Sequence, residues 1–319
     1  MVARRMQRPT TMRRSTTVGS LISGAGRALM GASDSPLLDA QLLLAFVTGA
    51  PRSSIIAFPE RLVRVALADE LDRLLDRRLR GEPLAYLVRS QEFYSLPLRV
   101  TPAVLIPRPE TELLVDAALE LLPPGELRAV LDVGTGSGAI ALAIKHERPS
   151  ADVTALDVSA AALTVARANA ARLGLAVRFL ESNWFAALDG REGQTPGPDV
   201  GFRRLAPGSD PNSADSNSLR FDVIVCNPPY VSSADRAFAA LKFEPRLALD
   251  GGRDGLDALR AVLAGAAERL NAGGLLLLEH GHDQRAALVE LAEAAGWRAA
   301  AQRDDLAGRA RVLELASGA

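Results

Sequence analysis

Residues Ala129-Val130-Leu131-Asp132-Val133-Gly134-Thr135-Gly136-Ser137-Gly138-Ala139 pass from an apolar strand through three alternating glycines into a helix. Glycine is the residue of choice where a backbone turns tightly and a ligand must approach with no Cβ in the way. The surrounding rhythm matches. A helix over Glu112–Leu122, a strand over Ala129–Val133, a helix over Ala139–Glu147, a strand over Val153–Leu156, a helix over Ala160–Leu173 and a strand over Val177–Leu180 follow in order. Strands alternating with helices predict an α/β fold on a doubly wound, mainly parallel sheet. Downstream, a strand over Phe221–Cys226, a helix over Leu256–Leu270, a strand over Leu275–Glu279 and a helix over Gln284–Ala295 extend it. A final strand pair, Trp297–Gln302 and Ala310–Leu315, closes the chain.

Upstream the rhythm differs. Residues 18–88 read as a small helical domain: Ser33-Asp34-Ser35-Pro36 supplies capping side chains and a first-turn proline, followed by Leu37, Leu38, Leu42, Leu43 and Phe46. Leu67, Leu71, Leu74, Leu75 and Leu79 continue at helical spacing, and Gly81-Glu82-Pro83 ends the run. From Phe93 to Val100 the pattern alternates, and Leu96-Pro97 suggests a short β-hairpin in a linker over 89–110 that joins the helical part to a main domain over 111–319. Residues 189–219 are Gly/Pro/Ser/Asp/Asn-rich without periodicity and read as a flexible insertion. Residues 1–17 read as a disordered basic tail, with a transit peptide or an upstream start codon as alternatives, since the first 33 residues carry no Asp or Glu.

Of the 319 residues 48% are hydrophobic and 24% charged, as in an ordinary globular protein. Lys plus Arg (37) nearly balances Asp plus Glu (38), which argues against a dedicated nucleic-acid binder and a stable nucleic-acid partner. A single cysteine, Cys226, allows no intramolecular disulfide and no cysteine metal cluster, and is read as a small core residue. The longest apolar runs are too short to span a bilayer, so a cytoplasmic protein with no membrane partner is expected.

Two constellations carry chemistry. The first pairs the loop Gly134–Gly138 with Asp157, which ends the next strand about 20 residues on, where a carboxylate can accept both hydroxyl hydrogens of a ribose. NAD and S-adenosylmethionine both present an adenosine ribose, so this pair does not choose between them. The second is Asn227-Pro228-Pro229-Tyr230 at the end of the strand Phe221–Cys226. Two prolines fix the backbone and remove two N–H donors. The Asn227 side-chain oxygen and the Pro228 carbonyl can then accept both hydrogens of a planar –NH2 group, with Tyr230 offering a flat face for stacking. Such a nitrogen has a delocalised lone pair. Two acceptors that favour pyramidal geometry localise it and stabilise the positive charge that develops as it is methylated. That chemistry calls for S-adenosylmethionine and no metal.

These residues resemble the bacterial peptide-chain-release-factor glutamine N5-methyltransferases. The resemblance rests on Asn227–Tyr230, on Leu131–Gly138 and on Leu105-Ile106-Pro107-Arg108-Pro109-Glu110-Thr111-Glu112. Glu82–Leu87, Glu92-Phe93-Tyr94, Leu278-Glu279-His280-Gly281 and Asp304-Leu306-Gly308-Arg309 extend it, so that it covers roughly residues 20 to 315 apart from the insertion. It implies a Rossmann-like class I methyltransferase sheet and an N-terminal helical domain for substrate recognition, joined by a β-hairpin. It implies methylation of the glutamine in the Gly-Gly-Gln motif of class 1 release factors. Cofactor contacts would fall on Gly134, Thr135, Gly136, Ser137, Gly138, Asp157, Trp184 and Asn227. The glutamine would be held by Asn227, Pro228, Pro229 and Tyr230, with Asn227, Pro228 and Tyr230 catalytic. Asn183 departs from the Ser-Asp-Trp usual in the family.

Other readings stand beside this one. Trp184 can cover an adenine or simply fill the core. Arg108, Glu110 and Glu112 can line the mouth of a site or pin the linker to the sheet. His280 and His282 lack further metal-ligand partners and read as structural. A DNA adenine-N6 or RNA guanine-N2 methyltransferase would use the same Asn-Pro-Pro-Tyr element on a base. A cofactor-binding interaction module is the non-enzyme alternative.

Overall fold

A computed structural model of the chain describes residues 16–189 and 219–318. Residues 1–15 of the basic tail and 190–218 of the Gly/Pro/Ser/Asp/Asn-rich stretch lie outside them. The chain divides into two compact units, Met1–Arg89 and Ser90–Ala319.

In the first unit Thr16–Thr17 (β1) leads into the helices Val18–Ala28 (α1), Pro36–Thr48 (α2) and Arg52–Ala57 (α3), then Leu62–Val63 (β2), Val65–Leu79 (α4) and Leu84–Val88 (α5). Thr16 and Thr17, counted with the tail in the sequence reading, are ordered: they pair antiparallel with Val63 and Leu62. Pro36 opens α2 and Gly49 closes it in the left-handed conformation, the usual proline-in, glycine-out asymmetry. Leu29, Leu43, Leu44, Leu71 and Leu74 fill the core. Arg78 donates to the buried carboxylate of Asp39 at 2.8 Å, tying α4 to α2.

The second unit begins with a hairpin, Ser90–Phe93 (β3) and Leu96–Arg99 (β4). Its turn falls on Tyr94-Ser95 instead of Leu96-Pro97, with φ of 51° and 60°, a two-residue loop of the kind that matches strand twist. Pro97 sits within β4, opposite Glu92. Neither turn residue is Gly or Asn. Side chains hold the turn instead: Glu112 accepts from the Tyr94 N–H at 2.7 Å, and the Tyr94 hydroxyl donates to Asp116 at 2.8 Å. The fully buried Asn169 fastens β4 by accepting from Arg99 N at 2.7 Å and donating to Arg99 O at 3.0 Å.

Then follow Glu112–Glu120 (α6), Ala129–Val133 (β5), Ala139–Glu147 (α7), Asp152–Asp157 (β6), Ala160–Leu173 (α8), Arg178–Glu181 (β7), Phe221–Cys226 (β8), Ala237–Ala240 (α9), Asp257–Ala266 (α10), Leu270–Glu279 (β9), Arg285–Ala294 (α11), Trp297–Asp304 (β10) and Ala310–Ser317 (β11). The seven-stranded sheet has the order β10-β11-β9-β8-β5-β6-β7, with β11 antiparallel to both neighbours and the other adjacent pairs parallel. This is the expected α/β architecture. Alternation along each strand feeds two cores. Val130, Val153, Val223 and Leu277 pack with α6 and α7, while Leu131, Leu156, Ile224 and Leu276 pack with α10 and α11. Strands buried on both faces are near-continuously apolar, as here.

One boundary moves. The helix expected to reach Leu270 ends at Ala266 and a 3-10 turn, and β9 starts at Leu270 rather than Leu275. Leu270 pairs with Phe221, and Asn271–Gly274 are absorbed as a bulge before Val223 meets Leu275.

Candidate functional site

Because β5 lies between β8 and β6, the chain reverses direction across the sheet between β5 and β8, and the loops after β8, β5 and β6 emerge side by side. In open α/β sheets this switch point is where ligands bind. A cavity of about 340 Å³ opens there, lined by the loop after β5, by Asp157, by Asn183 and Trp184 after β7, by Asn227, Pro228 and Pro229 after β8, and by Arg108 and Thr111.

Gly134, Thr135, Gly136 and Ser137 all face the cavity. Gly136 has φ 56°, and a Cβ built on it would meet nothing within 4 Å, so only open space lies on that side of the loop. Gly138 does not line the cavity. It is the left-handed N-cap of α7, packed against Leu142 and Ala166. Within the loop the buried Asp132 accepts from the Thr135 hydroxyl at 2.7 Å and from Ala141 N at 3.2 Å. Burial pushes its carboxyl pKa up to about 7.

Asp157 sits on the cavity wall, where Gly136 N donates to Oδ2 at 2.8 Å and Ser159 N to Oδ1 at 2.9 Å. Burial raises its pKa, and these backbone N–H groups pull it back toward the ionised form. A carboxylate offers about four acceptor sites, so Asp157 retains acceptor capacity toward a ligand. Trp184 lines the cavity and also packs on the second core. Its φ of 52° is unusual for a bulky residue. Ser182 secures that turn, its hydroxyl donating to Trp184 O at 2.8 Å and accepting from Ala187 N at 3.0 Å.

Asn227, Pro228 and Pro229 reach the cavity in trans, since the described residues contain no cis peptide bond. Tyr230 lies beside the cavity without lining it, and its hydroxyl points to Glu279 at 3.4 Å. The Asn227 amide nitrogen donates to the Thr111 hydroxyl at 3.1 Å. The Thr111 side chain lies beside Glu279, which is 1% exposed at the end of β9. Glu279 Oε2 has no hydrogen-bond partner among the described residues, and burial raises the Glu279 pKa to about 7. Arg108 lines the cavity and forms an ion pair with Glu244, whose other oxygen accepts from Ile106 N at 3.1 Å. Thus Arg108 both borders the site and pins the segment before α6, while Glu112 pins the hairpin turn. The sequence reading passed over Glu244, Thr111 and Glu279 as site residues. Thr111 and Glu279 belong to stretches that carry the resemblance, whereas Glu244 lies outside them and has no signal in the sequence.

A strap backs the Asn-Pro-Pro-Tyr turn. Val231 N donates to Leu249 O and Gly251 N to Val231 O, both at 2.9 Å, and Gln284 Nε2 bonds Tyr230 O at 3.0 Å. Gly255 has φ 77°, and a Cβ there would lie 2.5 Å from Tyr230 O. Gly255→Ala is therefore expected to destabilise the fold by about 2 kcal/mol, combining a strained φ with backbone overlap. A denaturant titration reads this directly, and an unchanged midpoint would show the strap to be slack.

His280 is buried with its Nδ1 against Gly281 O at 2.8 Å, and burial lowers its pKa. Cys226 is a fully buried core residue whose thiol pKa burial raises.

Comparisons with known proteins bear on both units. Residues 20–88 match the family model described as "PrmC N-terminal domain", and 110–193 match "Methyltransferase small domain". A release factor glutamine methyltransferase of Burkholderia pseudomallei is 44% identical, covering 91% of this chain and 94% of its own length. One of Moorella thermoacetica is 43% identical over 90% and 93% respectively. Among solved structures, a release-factor-specific protein-(glutamine-N5) methyltransferase of Alicyclobacillus acidocaldarius is 27% identical, with a TM-score of 0.37 and coverage of 70% of this chain and 100% of that one.

Proposed function

Because the chain belongs to the family of release factor glutamine methyltransferases, we propose that it methylates the N5 amide of the glutamine in the Gly-Gly-Gln motif of class 1 release factors, with S-adenosylmethionine as donor. The observation that carries this reading is the placement of Asn227 and Pro228 on the same cavity as the glycine loop and Asp157. Acceptors for an amide and a cradle for an adenosine thereby share one space.

The cavity suits that donor. Asp157 would accept the ribose hydroxyl hydrogens on its remaining lone pairs, and Gly134 to Ser137 would lie along the cofactor. Gly138 would act on this contact only through the shape of the loop. Trp184 would face the adenine. When bound, S-adenosylmethionine supplies an electrophilic methyl group on a sulfonium.

The chain's own residues do the rest. Asn227 Oδ1 and the Pro228 carbonyl accept the two N5 hydrogens, which fixes the amide and favours a pyramidal nitrogen. Their dipoles face the site of developing positive charge, an interaction that grows toward the transition state. Pro229 borders the side chain of the glutamine, and Tyr230, off the cavity lining with its hydroxyl toward Glu279, acts on it only from behind the turn. Orientation supplies much of the remaining rate gain. The nitrogen becomes acidic once methylated, so no strong base is needed before attack.

Release factors are the protein partner of this reading, and the cytoplasm, where translation terminates, is its place. Among the described residues no helix is long and apolar enough to cross a membrane.

The test is radiolabelled methyl transfer from S-adenosylmethionine to a purified class 1 release factor, beside its Gly-Gly-Ala variant and an unmethylated DNA duplex. Label is expected on the factor alone. Label on the duplex would reassign the substrate to a nucleic-acid base, and label on the variant would move the target to another residue.

A further inference from the structure

Three residues far apart in sequence meet behind the Asn227 amide: Thr111 before α6, Glu279 at the end of β9 and Tyr230 after β8. Asn227 Nδ2 donates to Thr111 Oγ1 at 3.1 Å, the Thr111 side chain lies beside Glu279, and the Tyr230 hydroxyl reaches Glu279 Oε1 at 3.4 Å. The buried Glu279 Oε2 has no hydrogen-bond partner among the described residues and is open to the Thr111 hydroxyl hydrogen. Thr111 is 3% exposed and Glu279 1%, so water does not compete for these groups.

A side-chain amide can turn either end toward a hydroxyl, and only one orientation is productive. With Nδ2 toward Thr111, the oxygen is left for the substrate. With Oδ1 toward Thr111, an –NH2 group would confront the substrate's own –NH2, donor against donor. What selects the orientation is the direction of the hydrogens. Threonine has a single hydroxyl hydrogen, and an ionised carboxylate can only accept. If that hydrogen goes to Glu279, the Thr111 oxygen presents only lone pairs to Asn227, and only Nδ2 can satisfy them.

We infer that Thr111 and Glu279 are positioning residues that set the polarity of this hydrogen-bond chain and thereby hold the Asn227 oxygen toward the substrate amide. This rests on the reading of Asn227 given above. Glu279→Gln tests it with almost no change of shape, because the new amide can donate to Thr111 and allow the chain to reverse. Around Glu279 the charged and titratable groups are Tyr230, Glu110, Arg311 and the buried Cys226. Since burial holds its pKa near 7, assays belong at about pH 8.5, where the carboxyl is ionised.

The experiment measures kcat and KM for release-factor methylation in wild type, Glu279→Gln, Thr111→Val and Thr111→Ser, with calorimetric S-adenosylmethionine affinity and a thermal melt for each. Glu279→Gln and Thr111→Val are expected to lose about thirtyfold in kcat while cofactor Kd stays within about twofold. Thr111→Ser, which keeps the hydroxyl, is expected to restore kcat. Glu279→Gln with wild-type kcat overturns the inference, as does a serine no better than valine. If Glu279→Gln melts below the assay temperature, the valine and serine pair decides on the same criteria. A wild type that labels no release factor would instead overturn the function itself, which separates the two failures.

Discussion

Asn227→Ala is expected to lower kcat for methyl transfer by about three orders of magnitude, the largest loss of any single substitution in the site. In the proposed mechanism the side chain provides one of two acceptors for the N5 hydrogens, and removal of one preorganised polar group from an active site typically costs 10²- to 10³-fold. The loss here lies at the upper end for two reasons. The Pro228 carbonyl alone cannot fix the plane of the amide, and Thr111 would be left with a buried lone pair facing a void. Cofactor affinity is expected to change only modestly, because the glycine loop and Asp157 are intact. Single-turnover methylation with calorimetry on the same preparation separates the two effects. Retained turnover would remove Asn227 from the chemistry, and abolished cofactor binding would recast it as a cofactor residue.

The second large effect is on affinity. Asp157→Ala is expected to weaken S-adenosylmethionine binding by about a hundredfold, since hydrogen bonds to a charged acceptor contribute about 1.5–3 kcal/mol each. The substitution also strips Gly136 N of its acceptor at 2.8 Å, loosening the loop that borders the same cavity. At saturating cofactor, kcat should move by no more than a few-fold, because nothing around the reacting nitrogen has changed. Calorimetric titration with S-adenosylmethionine and with S-adenosylhomocysteine checks the first point. Unchanged affinity for both would mean that the ribose is not held by Asp157.

Much of this protein is visible in local patterns. The strand Ala129–Val133, the helix Ala139–Glu147 and the strand Phe221–Cys226 end where their residues predict. An unbroken apolar run between polar turns has few alternatives in a sheet covered on both faces. The hairpin turn was misplaced for an equally physical reason. Tyr94-Ser95 lacks the Gly or Asn that marks such loops, and its positive φ angles are maintained by Glu112 and Asp116, residues of the following helix. The start of β9 was hidden because Asn271-Ala272-Gly273-Gly274 reads as a turn, yet the ladder resumes beyond it.

The candidate site divides along the same line. By itself the sequence picked out the loops that line the cavity, because a glycine run, a strand-end Asp and an Asn-Pro-Pro-Tyr turn are each contiguous and each restrict the backbone in a recognisable way. Only the tertiary structure decided how those loops are held and which of their residues face the cavity. It turned Gly138 into a helix cap, set Tyr230 against Glu279 rather than on the cavity lining, and locked Arg108 to Glu244. It also brought Thr111 to Asn227 across 116 positions of sequence. The reason lies in range: periodicity and turn chemistry act over a few residues, whereas the partners of a buried polar side chain are chosen by the order of the strands.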